Sequence, residues 1–263
     1  MFKRELKSNF KSFLIWTGIL LCIFLVVFLV YPSIVSSDNI KMMDEMVKVF
    51  PEEILKALNM DISSIDTAYG WLKSEGFVFI LLIIGSYGGI IGSNILLKEE
   101  NDKTVEYLNS LPLTRKDIVL QKFVVGIIYV IAITLILGVF NFISLSLSGD
   151  FDKLQFVLLS ITPLFPSLVI YALCFFISTF AHKSKKMLGL SLGIVFISYI
   201  LNALSGLAKP VEFLKYFSLF TLADVRNVII DVSINPVMIL ITIIITIGLL
   251  IGAIINYEKK DFV

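Results

Sequence analysis

The chain has 263 residues, 57% of them hydrophobic and 16% charged, with 22 phenylalanines and a mean hydropathy of +0.94. Soluble domains carry about 45–50% apolar residues, so this composition excludes an ordinary soluble protein and describes an integral membrane one. A formal charge of +1 gives no bulk attraction to nucleic acid, and none is expected as a partner. Charge here is informative by its position along the chain.

At the N-terminus Phe2, Leu6, Phe10 and Phe13 recur at helical spacing, while Lys3, Arg4, Lys7 and Lys11 cover the other side. Residues 1–11 therefore read as an amphipathic helix lying in the headgroup region. The apolar run that follows is too long for a signal-peptide core and no small-residue cleavage site comes after it, so it reads as a retained first span.

A hydrocarbon core of about 30 Å needs about 20 apolar residues in a helix. Six stretches meet that length: Ser12 to Val30, Gly76 to Leu97, Ile118 to Leu147, Phe156 to Ala181, Met187 to Leu207 and Pro236 to Tyr257. Backbone amides find no water inside the bilayer, so the expected class is all-α, a polytopic membrane protein of six transmembrane helices forming one domain over 1–263.

The segment 31–75 is too long for a plain turn. Met42, Met43, Met46, Val47 and Phe50 mark one helix face, and Pro51 ends that helix or opens a second one holding Ile54, Leu55 and Leu58. It reads as a small helical cap on the outer bilayer surface. The second span then carries Gly85, Gly88, Gly89, Gly92 and Ser93, small residues at i, i+4 spacing that let helix backbones approach closely. Gly189 and Gly193 in the fifth span, and Gly248 and Gly252 in the sixth, repeat the pattern.

From Lys98 to Asp117 the chain turns polar, with nine charged side chains among twenty. Each would cost about 2.5–3.5 kcal/mol at a bilayer centre, so the segment lies in water. Asp102 or Thr104 can cap a short helix with Val105 and Leu108 on one face. Pro112 stops it by pushing Leu111 out of helical geometry. Thr114 with Asp117 forms a capping box that starts the next span. Segment 98–117 is thus a compact helix–turn unit between spans 2 and 3.

The stretch 208–235 alternates Phe213, Leu214, Phe217, Leu219, Phe220, Leu222, Val225, Val228 and Ile229 with Lys215, Asp224 and Arg226. Too charged to span and too apolar to float free, it suits an outer helical hairpin, dipping partway into the bilayer before span 6. With the N-terminus in the cytoplasm, 14 of the 22 basic residues fall on that side. The positive-inside rule therefore places both ends there.

Cys22 and Cys174 lie inside apolar runs and His182 is the one histidine, a set that favours neither a disulfide framework nor a metal site. His182, beside Lys183, Lys185 and Lys186, reads as an anchor at the membrane surface. No phosphate-binding Walker loop and no catalytic triad are present, so an energy source must come from another chain. The spans hold Asn94, Asn141, Ser144, Ser146 and Asn202 but almost no central acid or arginine. That argues against ion coupling and for a hydrophobic or amphipathic cargo.

Glu99-Glu100, Lys103-Thr104-Val105-Glu106, Leu108, Leu111-Pro112-Leu113-Thr114-Arg115 and Lys122 resemble the permeases of type-2 ATP-binding-cassette exporters. Those permeases share a pair of acids, a Thr and Glu, a leucine-rich stretch, then Pro, Ser or Thr, and Arg. Lys103 stands where that family commonly has glycine. The resemblance covers the whole chain through its order of six spans and implies a single permease domain over 1–263. It implies that 98–117 holds a coupling helix seated on a separate ATPase subunit, with Glu99, Glu100, Thr104, Glu106, Leu108 and Arg115 at the contact. The N-terminal helix would be the family's connecting helix and 208–235 its outer re-entrant element. Gly85, Gly89, Ser93, Gly189 and Gly193 would pack the helices along the pathway. ATP and magnesium would sit on the ATPase subunit, with no cofactor on this chain. A second permease subunit, identical or different, would complete a dimer in the plasma membrane. The substrate would be a peptide, a lipid-like compound or a drug.

Two other classes compete. Glu99-Glu100 superficially matches the acid pair of an intramembrane CAAX-type protease, but no Phe-x-x-x-His follows. A membrane assembly protein without transport is the other.

Overall fold

The computed structural model describes residues 1–34, 67–102, 104, 113–207 and 209–260. The described secondary structure is helical throughout, and six helices in it are long and apolar enough to cross a bilayer. The all-α, six-span class expected from the apolar runs is what the chain forms. Most of the outer segment, including Met42 to Leu58, lies outside the described residues, as do Lys103, Val105, Glu106, Leu108, Leu111 and Pro112.

Helix α1 runs unbroken from Phe2 to Ile34. Residues 1–11 are therefore not an element of their own but the first turns of the first span. Nothing between Lys11 and Ser12 interrupts the hydrogen-bond ladder. At 1.5 Å per residue the helix reaches about 50 Å, well beyond a core of about 30 Å, so its charged first turns can stand outside the hydrocarbon.

The second span starts earlier than its apolar run. Helix α2 (Ala68–Trp71) is capped by the Thr67 hydroxyl, which accepts from Gly70 N at 3.0 Å. A π-helical turn (Leu72–Gly76) passes with helical dihedrals into α3 (Phe77–Ile95). Helix α4 (Lys98–Asn101) follows after a tight turn. Helix α5 (Arg115–Ser148) opens on the expected capping box: Thr114 Oγ1 accepts from Asp117 N at 3.1 Å while Thr114 N donates to Asp117 Oδ2 at 3.2 Å.

The fourth span is two helices, α6 (Lys153–Ile161) and α7 (Leu164–Ser178). Pro163 has no N–H for the Leu159 carbonyl, and its ring crowds that oxygen. The Thr162 hydroxyl takes over, donating to Leu159 O at 2.9 Å. Helix α8 (Ser184–Ser205) and α10 (Pro236–Glu258) are the last two spans. The stretch read as a helical hairpin is more irregular: two 3-10 segments, Lys209–Phe217 and Leu219–Ala223, then α9 (Val225–Asp231). Phe220, Ala223 and Val228 are buried there against Phe77, Leu81, Ile170, Cys174 and Val195, which fixes this stretch to the bundle rather than leaving it as a free hairpin.

The bundle is built around α3 and α7, which make the most extensive helix–helix contact; α8 and α5 flank α3, α10 packs on α7, and α1 lies on α5. Glycine sets the central distance. A Cβ on Gly88 would come within 2.9 Å of the Ser167 carbonyl oxygen, and one on Gly92 within 2.4 Å of the Tyr171 carbonyl oxygen. On the other side of α7 the fully buried Tyr171 ring fills the space over Gly126, and its hydroxyl donates to Phe123 O at 3.0 Å. At the end of the bundle where the second span begins, Tyr69 Oη donates to Gln155 Oε1 at 2.7 Å, and Gln155 Nε2 donates to Ile229 O at 2.9 Å.

Gly92→Ala should lower the thermal unfolding midpoint of the detergent-solubilised protein by an amount matching about 1–3 kcal/mol, because a backbone must move. Gly193→Ala meets nothing within 4 Å and should be neutral or raise it slightly. Val232 ends α9 in the left-handed region, at φ 47; Val232→Gly should raise the midpoint, releasing about 1 kcal/mol of strain.

Candidate functional site

Lys122 lies seven residues into α5 and its side chain is 0% exposed. A lone ammonium there must find acceptors or lose its charge. Nζ donates to the Ile95 carbonyl at the end of α3 (2.7 Å), to both Glu99 oxygens (2.7 and 2.8 Å), and to Glu5 Oε2 (3.3 Å). Its three N–H bonds are thus satisfied, two of them against charge. The Arg4 guanidinium lies 3.6 Å from Glu99 and 3.7 Å from Glu5. Two cations and two carboxylates therefore balance in one cluster, drawn from α1, α4 and α5.

A second cluster sits beside it. Glu100 pairs with Lys260, just past α10, and with His182 Nδ1 at 3.2 Å. Lys260 Nζ also donates to Ala181 O at 2.6 Å, which ties the α7–α8 connection to the tail of the chain. Asn101 Oδ1 accepts from Ser184 N at 3.4 Å, and Lys98 reaches the Ser8 hydroxyl. A third group closes the ring: Arg115 Nη1 donates to the carbonyls of Lys260 (2.7 Å), Glu258 (3.0 Å) and Tyr257 (3.4 Å). A guanidinium suits these oxygens because the last carbonyls of a helix lack intrahelical partners and carry the negative end of its dipole.

These contacts gather the first turns of α1, the end of α10, both ends of the polar segment 98–117 and the α7–α8 connection at one end of the bundle. Of the residues expected at an ATPase contact, Glu99 is buried at 6% exposure and engaged by Lys122, Glu100 by Lys260, and Arg115 by the α10 carbonyls. Thr104 is exposed, its N donating to Glu99 O at 2.8 Å; Glu106 and Leu108 lie outside the described residues. Of the packing positions, Gly85 faces Phe220 and Ile170, Gly89 faces Ser191, and Ser93 is buried and donates to Ile90 O, whereas Gly189 and Gly193 face open space.

Glu5 was not singled out by sequence reasoning, Lys260 was counted only among the basic residues that set orientation, and Lys122 was read as one of those residues and as the lysine of the permease-like motif, without a partner. The signal was available for Lys122: one cation within an otherwise apolar helix needs a counter-charge. For Glu5 it was a single acid within a basic N-terminal turn. The partner assignments themselves, over 117 residues for Glu5–Lys122 and 160 for Glu100–Lys260, had no local signature.

Six membrane-crossing helices with a polar loop pinned at one end define a multi-pass α-helical membrane protein. A family model described as ABC-2 family transporter protein matches residues 2–262, and the chain belongs to that family. It is a membrane permease subunit of an ABC exporter, the transport component that works with an ABC ATPase. Comparisons with curated proteins and with solved structures give no match.

Lys122→Met leaves Glu5 and Glu99 buried without their shared cation and should destabilise the protein by about 3–5 kcal/mol. Adding Glu99→Gln and Glu5→Gln should recover much of that loss. Thermal unfolding of the purified variants measures both.

Proposed function

We propose that the chain exports a hydrophobic or amphipathic substrate, such as a peptide, a lipid-like compound or a drug. A separate ATPase subunit that carries ATP and magnesium powers it by acting on segment 98–117 from the cytoplasm. The observation that carries this reading is the pinning of both ends of that segment: Glu99 and Glu100 at its start and Arg115 at its finish are held by α1, α5 and the end of α10. A loop attached in this way cannot move without moving those helices.

The six residues expected at the contact then divide into two roles. Thr104, Glu106 and Leu108, in the middle of the segment, meet the ATPase. Glu99, Glu100 and Arg115 transmit the displacement to the spans. Both termini are cytoplasmic in this arrangement, and a second permease subunit faces the first across the pathway, with Gly189 and Gly193 of α8, which face open space among the described residues, toward it. The apolar spans, with Asn and Ser as their polar members, suit a cargo that partitions into lipid.

Purification of the tagged chain from its native membranes in mild detergent should bring down an ATPase with Walker and ABC signature motifs. Glu106→Lys with Leu108→Asp should abolish that association while leaving the unfolding midpoint of the permease unchanged. Retention of the ATPase by this double variant, or labelling of a cysteine at position 104 from the extracellular side, would overturn the proposal.

A further inference from the structure

Helix α1 divides its charges between two faces. Glu5, the one acid in the helix, is buried and turned to Lys122. Arg4 lies against Glu5 and Glu99. Lys3, Lys7 and Lys11 are exposed, and among the described residues none of the three has an ion-pair partner. Successive residues turn about 100° around a helix, so these lysines fall within about 80° of one another, on one stripe. Leu14, Gly18, Leu25 and Leu29 fall within the same stripe. All four are exposed, and a Cβ on Gly18 would meet nothing within 4 Å. The opposite face, with Phe13, Leu20 and Phe24, is buried in the core.

The rise of the helix sets the depth of each part of this stripe. A hydrocarbon core of about 30 Å takes about 20 residues, here Ser12 to Tyr31. Lys11 then stands at the edge of the core, Lys7 about 6 Å outside it and Lys3 about 12 Å outside it. A headgroup layer is about 5–8 Å thick on each side. Lys7 and Lys11 share that layer, and Lys3 reaches down to it along its alkyl stem. Phe10, 50% exposed, sits at the same level, where an aromatic ring suits a bilayer interface better than open water. Lys98, whose ammonium reaches the Ser8 hydroxyl, brings a fourth cation to the edge of the stripe. No exposed acid on α1 offsets these charges.

An occupant of this face must be negative beside the lysines and must continue as hydrocarbon beside Leu14, Gly18 and Leu25. A second copy of the chain, packed here about a two-fold axis, would set lysine against lysine, and like charges in apposition are repulsive. A soluble acidic protein would answer the lysines and leave the apolar part of the stripe bare. We propose that this face of α1 seats an anionic phospholipid from the leaflet in which the helix begins. Its phosphate accepts from the ammonium groups of Lys7 and Lys11, with Lys3 above it, and an acyl chain lies over Gly18 between Leu14 and Leu25. The same turns of α1 hold Glu5 against Lys122 on their other side, so the lipid fixes the depth of the helix end that carries that cluster. This binding is distinct from the cargo and from the ATPase contact proposed above.

The test places a photoreactive benzophenone amino acid at position 14 of the full-length permease, in vesicles of equimolar phosphatidylglycerol and phosphatidylcholine with matched chains. One lysine beside an anionic lipid surface is worth about fivefold in binding. Cross-linking to phosphatidylglycerol should therefore exceed that to phosphatidylcholine by about fivefold or more in low salt, and should fall toward equality in about 1 M salt, where screening acts within about 3 Å. Lys7→Gln with Lys11→Gln should reduce the preference to about twofold or less. Lys185→Gln with Lys186→Gln, which removes two exposed charges at the start of α8, should leave it unchanged. Both double variants should keep the unfolding midpoint of the parent, because none of these lysines has an ion-pair partner among the described residues. Equal cross-linking to the two lipids, or a preference that survives the loss of Lys7 and Lys11, would overturn the proposal. An equal loss in the α8 variant, which would mark general surface charge, or cross-linking of position 14 to a second copy of the chain in place of lipid, would do the same. The vesicles hold neither ATPase nor cargo, so any of these failures leaves the coupling role of segment 98–117 untouched.

Discussion

The structure depends on a buried ammonium. The Lys122 side chain is fully buried, and its Nζ is met by the carboxylates of Glu5 and Glu99 and the end carbonyl of α3. Replacing such a cluster with apolar groups of equal volume is often neutral or favourable, so its value is not mainly in stability. What it supplies is register. The ammonium has one position at which its three donors meet oxygens of three residues, Ile95, Glu99 and Glu5, and at that position the first turns of α1, the start of α4 and α5 are locked in depth and rotation. The neighbouring contacts of Glu100 and Arg115 extend the same constraint to the α7–α8 connection and the tail of α10.

The two regions of the bundle are held by different physics. Near the polar end, ion pairs and charged hydrogen bonds join segments far apart in sequence. Through the middle, association depends on van der Waals contact between helices, because lipid is as apolar as leucine and offers no hydrophobic gain. There the glycines matter: Gly88 and Gly92 bring the backbone of α3 onto that of α7, and Gly126 admits the ring of Tyr171. Away from that centre α1, α8 and α10 keep most of their apolar surface exposed, as helices that face lipid or another subunit do.

Much of this was legible in the sequence. The six spans followed from the length of apolar run a bilayer requires, and the start of α5 from Thr114 and Asp117, a motif complete within four residues. The glycines of the second span announced close packing. Features that depend on partners elsewhere were not legible. The continuity of α1 across Lys11 reflects a helix longer than the hydrocarbon, which periodicity alone does not distinguish from an interfacial helix joined to a span. The break before α7 required weighing Pro163 within a run apolar enough to cross unbroken. The 3-10 segments before α9 hold their shape by burying Phe220 and Ala223 against α3, α7 and α8, a tertiary effect. Gly126 has no second small residue one turn away in its span, and only the fold brought Tyr171 over it. Lys122 was visible as a charge, but its partners were not.

The approach of Gly92 to the Tyr171 carbonyl also governs how the bundle can rearrange. With the backbone of α3 resting on that of α7, neither helix can slide along the other without forcing a carbonyl through a space smaller than an atom. The pair therefore behaves as a keel, rigid under lateral load. Any rearrangement of the bundle that keeps this contact leaves α3 and α7 together and is confined to the helices packed around them.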